Sequence, residues 1–550
     1  MKAFYAFAAI ALFAVSSFGQ RELGAKPTKT GGPLMFEQAV FDVQDYDISV
    51  KADPATRSIS GTTVMTAKAV IPSDVIVLDL DTPYNVESVT ENGQPLRYVR
   101  KDGQIRIYFP YSKQVGETIK TKIVYSGTPR VAPRPPWVGG FMWEKTKDGA
   151  DWISVALQND GADLLFPCKD HPSDKPATVS MHITVPDPLY ATAPGKLVGI
   201  KKNGDKTSTY NWRMTNPIGN YSIVFNAAPY KVVKDSYRSI AGTVIPIFFY
   251  VLPEDADKAA GLIAEQKKYL KYYEHYLGPY PFRSQKVGIT ETPHLGMEHS
   301  TNIAYGNHFK YDADGTDFLL LHEFGHEYWA NLVTASDWRD FWIHEGFQSY
   351  MDALYQEYLH GKDAYMKRMA ATATRFRNKQ PIAPREPKIA YQVYMAEPDY
   401  TKSDGDIYGK GAYFLHTLRY LIGDKAFFNA LRHMAYPDKA HESYTDGRQE
   451  RLVTTDDFLT TAEKDSGMKL DWIFEMYVRQ PKLPKLVTSV SGNTLSLRWE
   501  TPNNMPFPMP IDVVINGKTQ RVEMPDGRAT VSFTGAAPVI DPNGWVLKAQ

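Results

Sequence analysis

The chain has 550 residues, with 62 basic and 62 acidic side chains and a formal net charge of zero. Because lysine and arginine do not cluster, this balance argues against a nucleic-acid partner, whose binding rests on phosphate neutralisation. Cys168 is the only cysteine, which excludes an internal disulfide framework; stability must come from core burial, for which this length is ample and favours several domains.

Met1-Lys2, the apolar run Ala3 to Val15 and the small residues of Ser16-Ser-Phe-Gly-Gln20 have the three regions of a secretory signal peptide. Ser17 and Gly19 occupy the small positions of the cleavage rule, so residues 1–19 are expected to be removed and the mature chain to begin at Gln20. The apolar stretch is short for a retained bilayer span, and no cysteine stands beside the cleavage point to accept a lipid. Export to the periplasm is expected, with the extracellular medium as the alternative. Residues 20–40, polar and glycine-rich as far as Pro33, read as a flexible leader.

From residue 41 to about 235 the pattern is β. Asp45–Val50, Gly61–Ala67, Val75–Leu80, Ile105–Phe109, Thr118–Tyr125, Ala177–Val185 and Tyr221–Phe225 alternate or are rich in β-branched residues, between turns such as Asn92-Gly93 and Asp102-Gly103. Past Pro253 the period changes. Helices are expected over Glu254–Leu277, Asp317–Val333, His344–Leu359, Gly409–Leu421, Asp424–Met434, a stretch capped at Thr455, and Trp472–Val478, with one strand near Lys286–Thr290. This gives an α-rich unit over residues 236–480. Over residues 481–550 the period of two returns in Leu495–Trp499, Ile511–Ile515, Ala529–Phe533 and Trp545–Leu547, which read as a small β-sandwich.

Chemistry concentrates in Leu319-Leu-Leu-His-Glu-Phe-Gly-His-Glu-Tyr-Trp-Ala-Asn331. His322 and His326 lie one helical turn apart, so both imidazoles face the same way and can close on one Zn2+, with Glu323 able to reach a water there. After eighteen intervening residues His326 is followed by Glu345, which completes a two-His-one-Glu set with an open fourth position. Placing these groups in so apolar a helix would be costly without a metal or other partners. A hydrolase of this kind also needs an oxyanion donor, and Tyr408, at the start of a helix beside an acidic loop, is a candidate among 34 tyrosines.

With these motifs, the chain resembles the M1 family of zinc metallopeptidases, the gluzincin aminopeptidases. The His-Glu-x-x-His, eighteen-residue spacer and Glu arrangement coincides with residues 322, 323, 326 and 345, and its flanks with Tyr328-Trp329, Asn331-Leu-Val-Thr334 and Trp342-Ile-His-Glu-Gly-Phe347. Tyr408-Gly-Lys-Gly411 is similar to the family's Tyr-x-Lys-Gly, which implies that Tyr408 stabilises the oxyanion. Leu295-Gly-Met-Glu-His299 is similar to the family's Gly-x-Met-Glu-Asn, which implies that Glu298, with Gly296 and Met297, binds the free α-ammonium of a peptide. Phe166-Pro-Cys-Lys-Asp-His-Pro-Ser-Asp-Lys-Pro176 is similar to a stretch of the family's N-terminal saddle domain, with Gln158 upstream where a glutamine near the substrate's amino end is expected.

The resemblance implies a multidomain β + α fold: an N-terminal β saddle, a thermolysin-like α-rich catalytic domain carrying one zinc, and the small C-terminal β-sandwich. It further implies an aminopeptidase acting on peptides with a free N-terminus, Glu323 being the general base. The alternatives are a zinc hydrolase of altered specificity, such as an endopeptidase or an epoxide hydrolase, and a catalytically inactive peptide-binding scaffold. The family's large C-terminal helical domain is not expected here, which implies a more open cleft. Three positions depart from the family pattern: Leu295 stands for glycine, and His299 and His344 for asparagine. The histidines are expected either to make amine recognition sensitive to pH or to act only as substitutions of shape and hydrogen bonding.

Overall fold

The computed structural model describes residues 30–395 and 405–549. The expected signal segment and the leader up to residue 29 lie outside the described residues. The described part of that leader is packed rather than loose. Phe36–Ala39 is a short helix, the Gln38 amide donates to Asp79 Oδ2 at 2.7 Å, and the Val40 and Phe41 side chains are buried.

An eight-stranded sheet dominates the N-terminal half. Its order is Lys196–Lys202, Thr207–Met214, Thr178–Pro186, Phe41–Asp53, Ser58–Ala69, Thr118–Gly127, Tyr84–Glu91 and Gln94–Pro95. The long strand Phe41–Asp53 shows why: Tyr46, Ile48, Val50 and Ala52 point inward while Ser49 and Lys51 face water, the period of two that one-sided burial demands. A three-stranded sheet and a four-stranded sheet accompany it, the latter containing Asp151–Ala156 and Asn226–Ala228. The strand expected over Tyr221–Phe225 is instead a 3-10 turn, Asn220–Ser222, and the strand begins at Asn226. The turn points Tyr221 toward the central cleft, where its hydroxyl finds a carboxylate.

The next sheet has five strands in the order Lys231–Arg238, Val244–Val251, Val287–Glu291, Ile303–Tyr305 and Gly296–Met297. The middle three are parallel, and helix α1 (Ala259–Leu277) is the crossover between the first two of them. Helix α1 starts later than its apolar period suggests because Pro253–Asp255 form a separate 3-10 turn, and it ends at Gly278, whose φ of 111° no β-carbon residue adopts readily. Gly296–Met297 forms the sheet edge, antiparallel to Ile303–Tyr305.

Helix α2 (Phe318–Gly325) packs against the strands Gly296–Met297 and Ile303–Tyr305 of this sheet, and α3 (Trp342–His360) packs on α2 and carries α4 (Lys362–Thr372) and α5 (Gly411–Ile422). Asp317 caps α2, its carboxylate accepting from Leu320 N at 3.1 Å. The helix expected to run to Val333 stops at Gly325. Residues 327–332 form an irregular π-type turn, with Trp329 at φ −99°, ψ 68° and Ala330 at φ 159°, ψ −54°. The break turns the Trp329 carbonyl back onto the His326 ring and brings Asn331 N to the His326 carbonyl at 2.9 Å. The later helix Thr455–Ser466 is capped by Thr454, one residue before the position read from the sequence; its hydroxyl pairs with Asp457 N, while Thr455 bonds Trp342 and Asp340.

Beyond residue 484 the described residues form two three-stranded sheets, with Leu495, Leu497, Trp499, Ile511 and Val513 buried. Trp545–Leu547 is not a strand. Its backbone is bonded by the Thr417 hydroxyl and the Asp541 carboxylate, and the Trp545 ring stacks on His416 at 4.4 Å, which ties the C-terminal sheets to α5.

Candidate active site

Helix α2 presents His322 and His326 on one face, and α3 brings Glu345 opposite them. The two Nε2 atoms stand 3.3 Å apart, and Glu345 Oε2 lies 3.6 Å from His322 Nε2 and 3.4 Å from His326 Nε2. Two ligands of a tetrahedral zinc with bonds of about 2.1 Å are themselves about 3.4 Å apart, so the three atoms already outline one face of such a site. Glu345 Oε2 is buried with no hydrogen-bond donor, a costly arrangement that a cation relieves. The other ring nitrogens are held from outside. His322 Nδ1 meets Asp352 Oδ2 at 2.8 Å and His326 Nδ1 donates to the Trp329 carbonyl at 2.8 Å, which turns both Nε2 atoms inward. The donor set therefore fits Zn2+.

Asp352 was missed in the sequence. It lies on α3 seven residues past Glu345, with Gln348 between them donating to Asp352 Oδ1 at 2.9 Å. The 345, 348, 352 spacing is a single helix face, and that periodicity is the signal that finds it.

Tyr408 comes to this cluster through a contact of two glycines. A β-carbon on Gly346 would sit 3.0 Å from Gly411 Cα, and one on Gly411 would sit 2.9 Å from Gly346 Cα. The close approach of these two glycines lets α3 meet the segment Asp406–Gly411, which brings Tyr408 near Glu345 and its ring over that of His322 at 6.4 Å. Burial, followed by the Glu345 charge, pushes the Tyr408 hydroxyl well above its ordinary pKa, so it stays a proton donor.

The remaining expected residues converge as well. Gly296 lies against Glu323: a β-carbon there would be 2.6 Å from Glu323 Oε1 and 2.8 Å from Leu319. Met297 is buried beside it in the edge strand. One carboxylate oxygen each of Glu298 and Glu323, and a ring nitrogen of His326, lie within 4.8 Å of one another. Glu298 Oε1 accepts from the Gln158 amide and, at 3.0 Å, from the Tyr221 hydroxyl; Asn331 Nδ2 donates to the Glu298 carbonyl at 2.9 Å. No local pattern in the sequence marks Tyr221, whose role depends on a contact 77 residues away.

Three carboxylates crowd this space and differ in state. Burial pushes Glu323 up to about 8 and raises Glu298. Burial would raise Glu345 too, but the His326 and His322 imidazoles hold it well below the usual carboxylate range. Glu345 is thus set as an anionic ligand, while Glu323 is suited to carry a proton and give it up.

The two departing histidines are not poised to titrate near neutral pH. His299 is fully buried, neither ring nitrogen has a hydrogen-bond partner, and burial pushes its pKa down to about 3. His344 Nε2 accepts from Ala335 N at 2.9 Å, which makes it a neutral acceptor, and burial likewise lowers it to about 3. The expectation of pH-sensitive amine recognition through these residues gives way to the alternative of shape and hydrogen bonding.

All nine expected site residues line or adjoin one cavity of about 350 Å³ between the N-terminal sheets and the helices, within the range of small-molecule and peptide pockets. Leu295, 43 % exposed, forms part of its rim.

The sequence profile of the peptidase family M1 domain matches residues 263–477, and that of the peptidase M1 N-terminal domain matches residues 43–222; together they account for most of the chain. Among curated proteins, the tricorn protease-interacting factor F2 of Thermoplasma acidophilum is 23% identical over 457 residues, covering 78% of this chain and 53% of that protein. Leucine aminopeptidase 2 of Vanderwaltozyma polyspora is 25% identical, covering 77% and 64%, and human glutamyl aminopeptidase 24%, covering 64% and 37%. The chain thus spans about half the length of several of these relatives. Among solved structures, the M1 zinc metallopeptidase of Deinococcus radiodurans superposes with a TM-score of 0.64 at 23% identity, covering 80% of this chain and 95% of that one. A variant of that protein is known with a Tyr-Ser-Ala substrate. At this identity the structural likeness establishes the two-domain fold.

Proposed function

The chain belongs to peptidase family M1, and from that premise we propose that it is an exported zinc aminopeptidase that removes residues one at a time from the free amino end of peptides. The observation that carries this reading is the position of Glu298: a buried carboxylate beside Glu323 and His326, fixed by Gln158 and Tyr221. A carboxylate so close to the metal ligands can hold an ammonium only one residue from the bond being cut, which sets the cleavage position. An endopeptidase would need that end of the cleft open.

His322, His326 and Glu345 would hold the zinc, which when bound polarises the scissile carbonyl and lowers the pKa of an attacking water. Glu298 pairs with the substrate ammonium and Gln158 steadies that carboxylate. The edge strand Gly296–Met297 offers backbone groups to an extended peptide. Glu323 takes the proton of the attacking water and returns it to the leaving amine. Tyr408 donates its hydroxyl hydrogen to the oxygen on which negative charge develops. Export is supported by the sequence of residues 1–19, and no helix among the described residues is long and apolar enough to cross a membrane.

Glu298→Gln keeps the size of the side chain and its bond to Tyr221 while removing the charge. It is expected to lower kcat/KM for free-amine peptides about 10- to 150-fold, mainly through KM, as loss of a charge-assisted hydrogen bond dictates. Steady-state kinetics on a tripeptide checks this, and unchanged KM would remove Glu298 from amine binding.

A further inference from the structure

The cavity is acidic at the metal end, with Glu298, Glu323, Glu345 and Asp352, but its wall also carries Arg368 and Arg375, the only lysine or arginine side chains among its described lining residues. Neither guanidinium has a hydrogen bond or ion pair with any described residue. Arg368, on α4, lies over the Phe318 ring with its Cζ 5.8 Å from the centroid, and Phe318 in turn stands 5.8 Å from the His322 ring. The guanidinium is therefore within about 12 Å of a metal-facing imidazole.

Arg375 follows α4 by three residues, its N–H bonded to the Thr372 carbonyl at 3.0 Å. The Asp406 carboxylate accepts the backbone N–H groups of Arg377 at 2.6 Å, Asn378 at 3.1 Å and Lys379 at 3.0 Å, which fastens the loop after Arg375 to the turn bearing Tyr408. Gly409 gives the loop room to approach: a β-carbon there would lie 3.1 Å from Phe376 and 3.7 Å from Arg375 Cβ. Both arginines thus face the same cavity from fixed backbones, with charges unpaired among the described residues. An arginine fork left without a carboxylate at the wall of a pocket is a ready partner for one on a ligand.

Resting on the aminopeptidase reading, the geometry points to Arg368 and Arg375 as specificity residues that bind a carboxylate of the substrate, so that the enzyme favours short peptides carrying a negative charge two or three residues beyond the amine. The charge pattern is the argument. Glu298 marks the ammonium end of the cavity and the arginines mark a cationic wall, while an extended tri- or tetrapeptide spans about 10–14 Å between its own opposite charges. Such a zwitterion matches a cavity of this size and polarity. The peptide C-terminus and an aspartate side chain both supply such a carboxylate, and the same chemistry recognises both.

The test compares kcat/KM for Leu-Gly-Gly as the free acid, Leu-Gly-Gly C-terminal amide and Leu-Gly-Asp C-terminal amide. The wild-type enzyme is expected to prefer the free acid over its amide about tenfold, and the ratio to fall to about one in the double variant R368Q/R375Q. Equal rates on the aspartyl amide and the free acid identify any carboxylate as sufficient; preference for the free acid alone identifies the terminal one. R375E, a change at an exposed position, should invert the preference toward the amide, which keeps the idea testable if the double variant does not fold. Equal kcat/KM on all three peptides, or an acid preference that survives in R368Q/R375Q, would overturn the proposal. Cleavage of all three by the wild type at the first bond would leave the aminopeptidase reading standing in that case, whereas failure to cleave any would sink both.

Discussion

Glu323→Gln is expected to keep its zinc and lose about 10²- to 10⁴-fold in kcat, the range associated with removal of a positioned general base. The glutamine has the same shape, so its packing against Gly296 persists, and none of the three metal ligands changes. What it cannot do is accept a proton. Burial pushes the Glu323 carboxyl up to about 8, which makes it a stronger base than a surface glutamate and better matched to proton transfer near neutrality. Zinc content of the purified variant, measured beside its kcat, separates the two effects. Turnover within a few-fold of wild type would take the base role away from Glu323; loss of zinc along with activity would mean that the residue supports the metal instead.

Removing the metal should have a larger effect. Without a cation, Glu345 Oε2 is buried with no donor, and two imidazole nitrogens face each other at 3.3 Å. That cluster is poorly satisfied by itself, so metal binding stabilises the fold around it by mass action, and the midpoint of thermal unfolding should rise with zinc concentration. Chelation is expected to abolish turnover and lower Tm by several degrees, and one equivalent of zinc per chain should restore both. His326→Ala should reproduce the chelated state and resist rescue. Full activity in protein shown by elemental analysis to be metal-free would contradict the assignment of the three ligands.

The parts of this site that could be read from the sequence are those set by local spacing. The four-residue spacing of His322 and His326 defines one helical face wherever the helix lies, and the alternation of Phe41–Asp53 identifies its buried side without reference to any partner strand. The contacts that complete the site are non-local. Tyr221 reaches Glu298 across 77 residues, and the meeting of Gly346 with Gly411 depends on how two segments cross. The helix over residues 317–333 illustrates tertiary structure overriding local pattern. Its apolar period continues through Trp329 and Leu332, yet the chain breaks after His326 because the imidazole needs the Trp329 carbonyl and Glu298 needs Asn331. Trp545–Leu547 fails as a strand for a related reason, since packing on α5 replaces ladder bonds. His299 shows a limit of residue type: near neutral pH a histidine suggests titration, and only the depth of burial shows that this one stays neutral.

The claim at the centre of this account is that Glu298 counts one residue from a free amine. The direct measurement is product analysis, by mass spectrometry, of one pentapeptide offered with a free amino terminus and with that terminus acetylated. The account predicts stepwise release of single residues from the free peptide and a loss of at least about 100-fold in rate on the acetylated one, because the ammonium that pairs with Glu298 is gone. Equal cleavage of both peptides, or cuts at internal bonds, would contradict it.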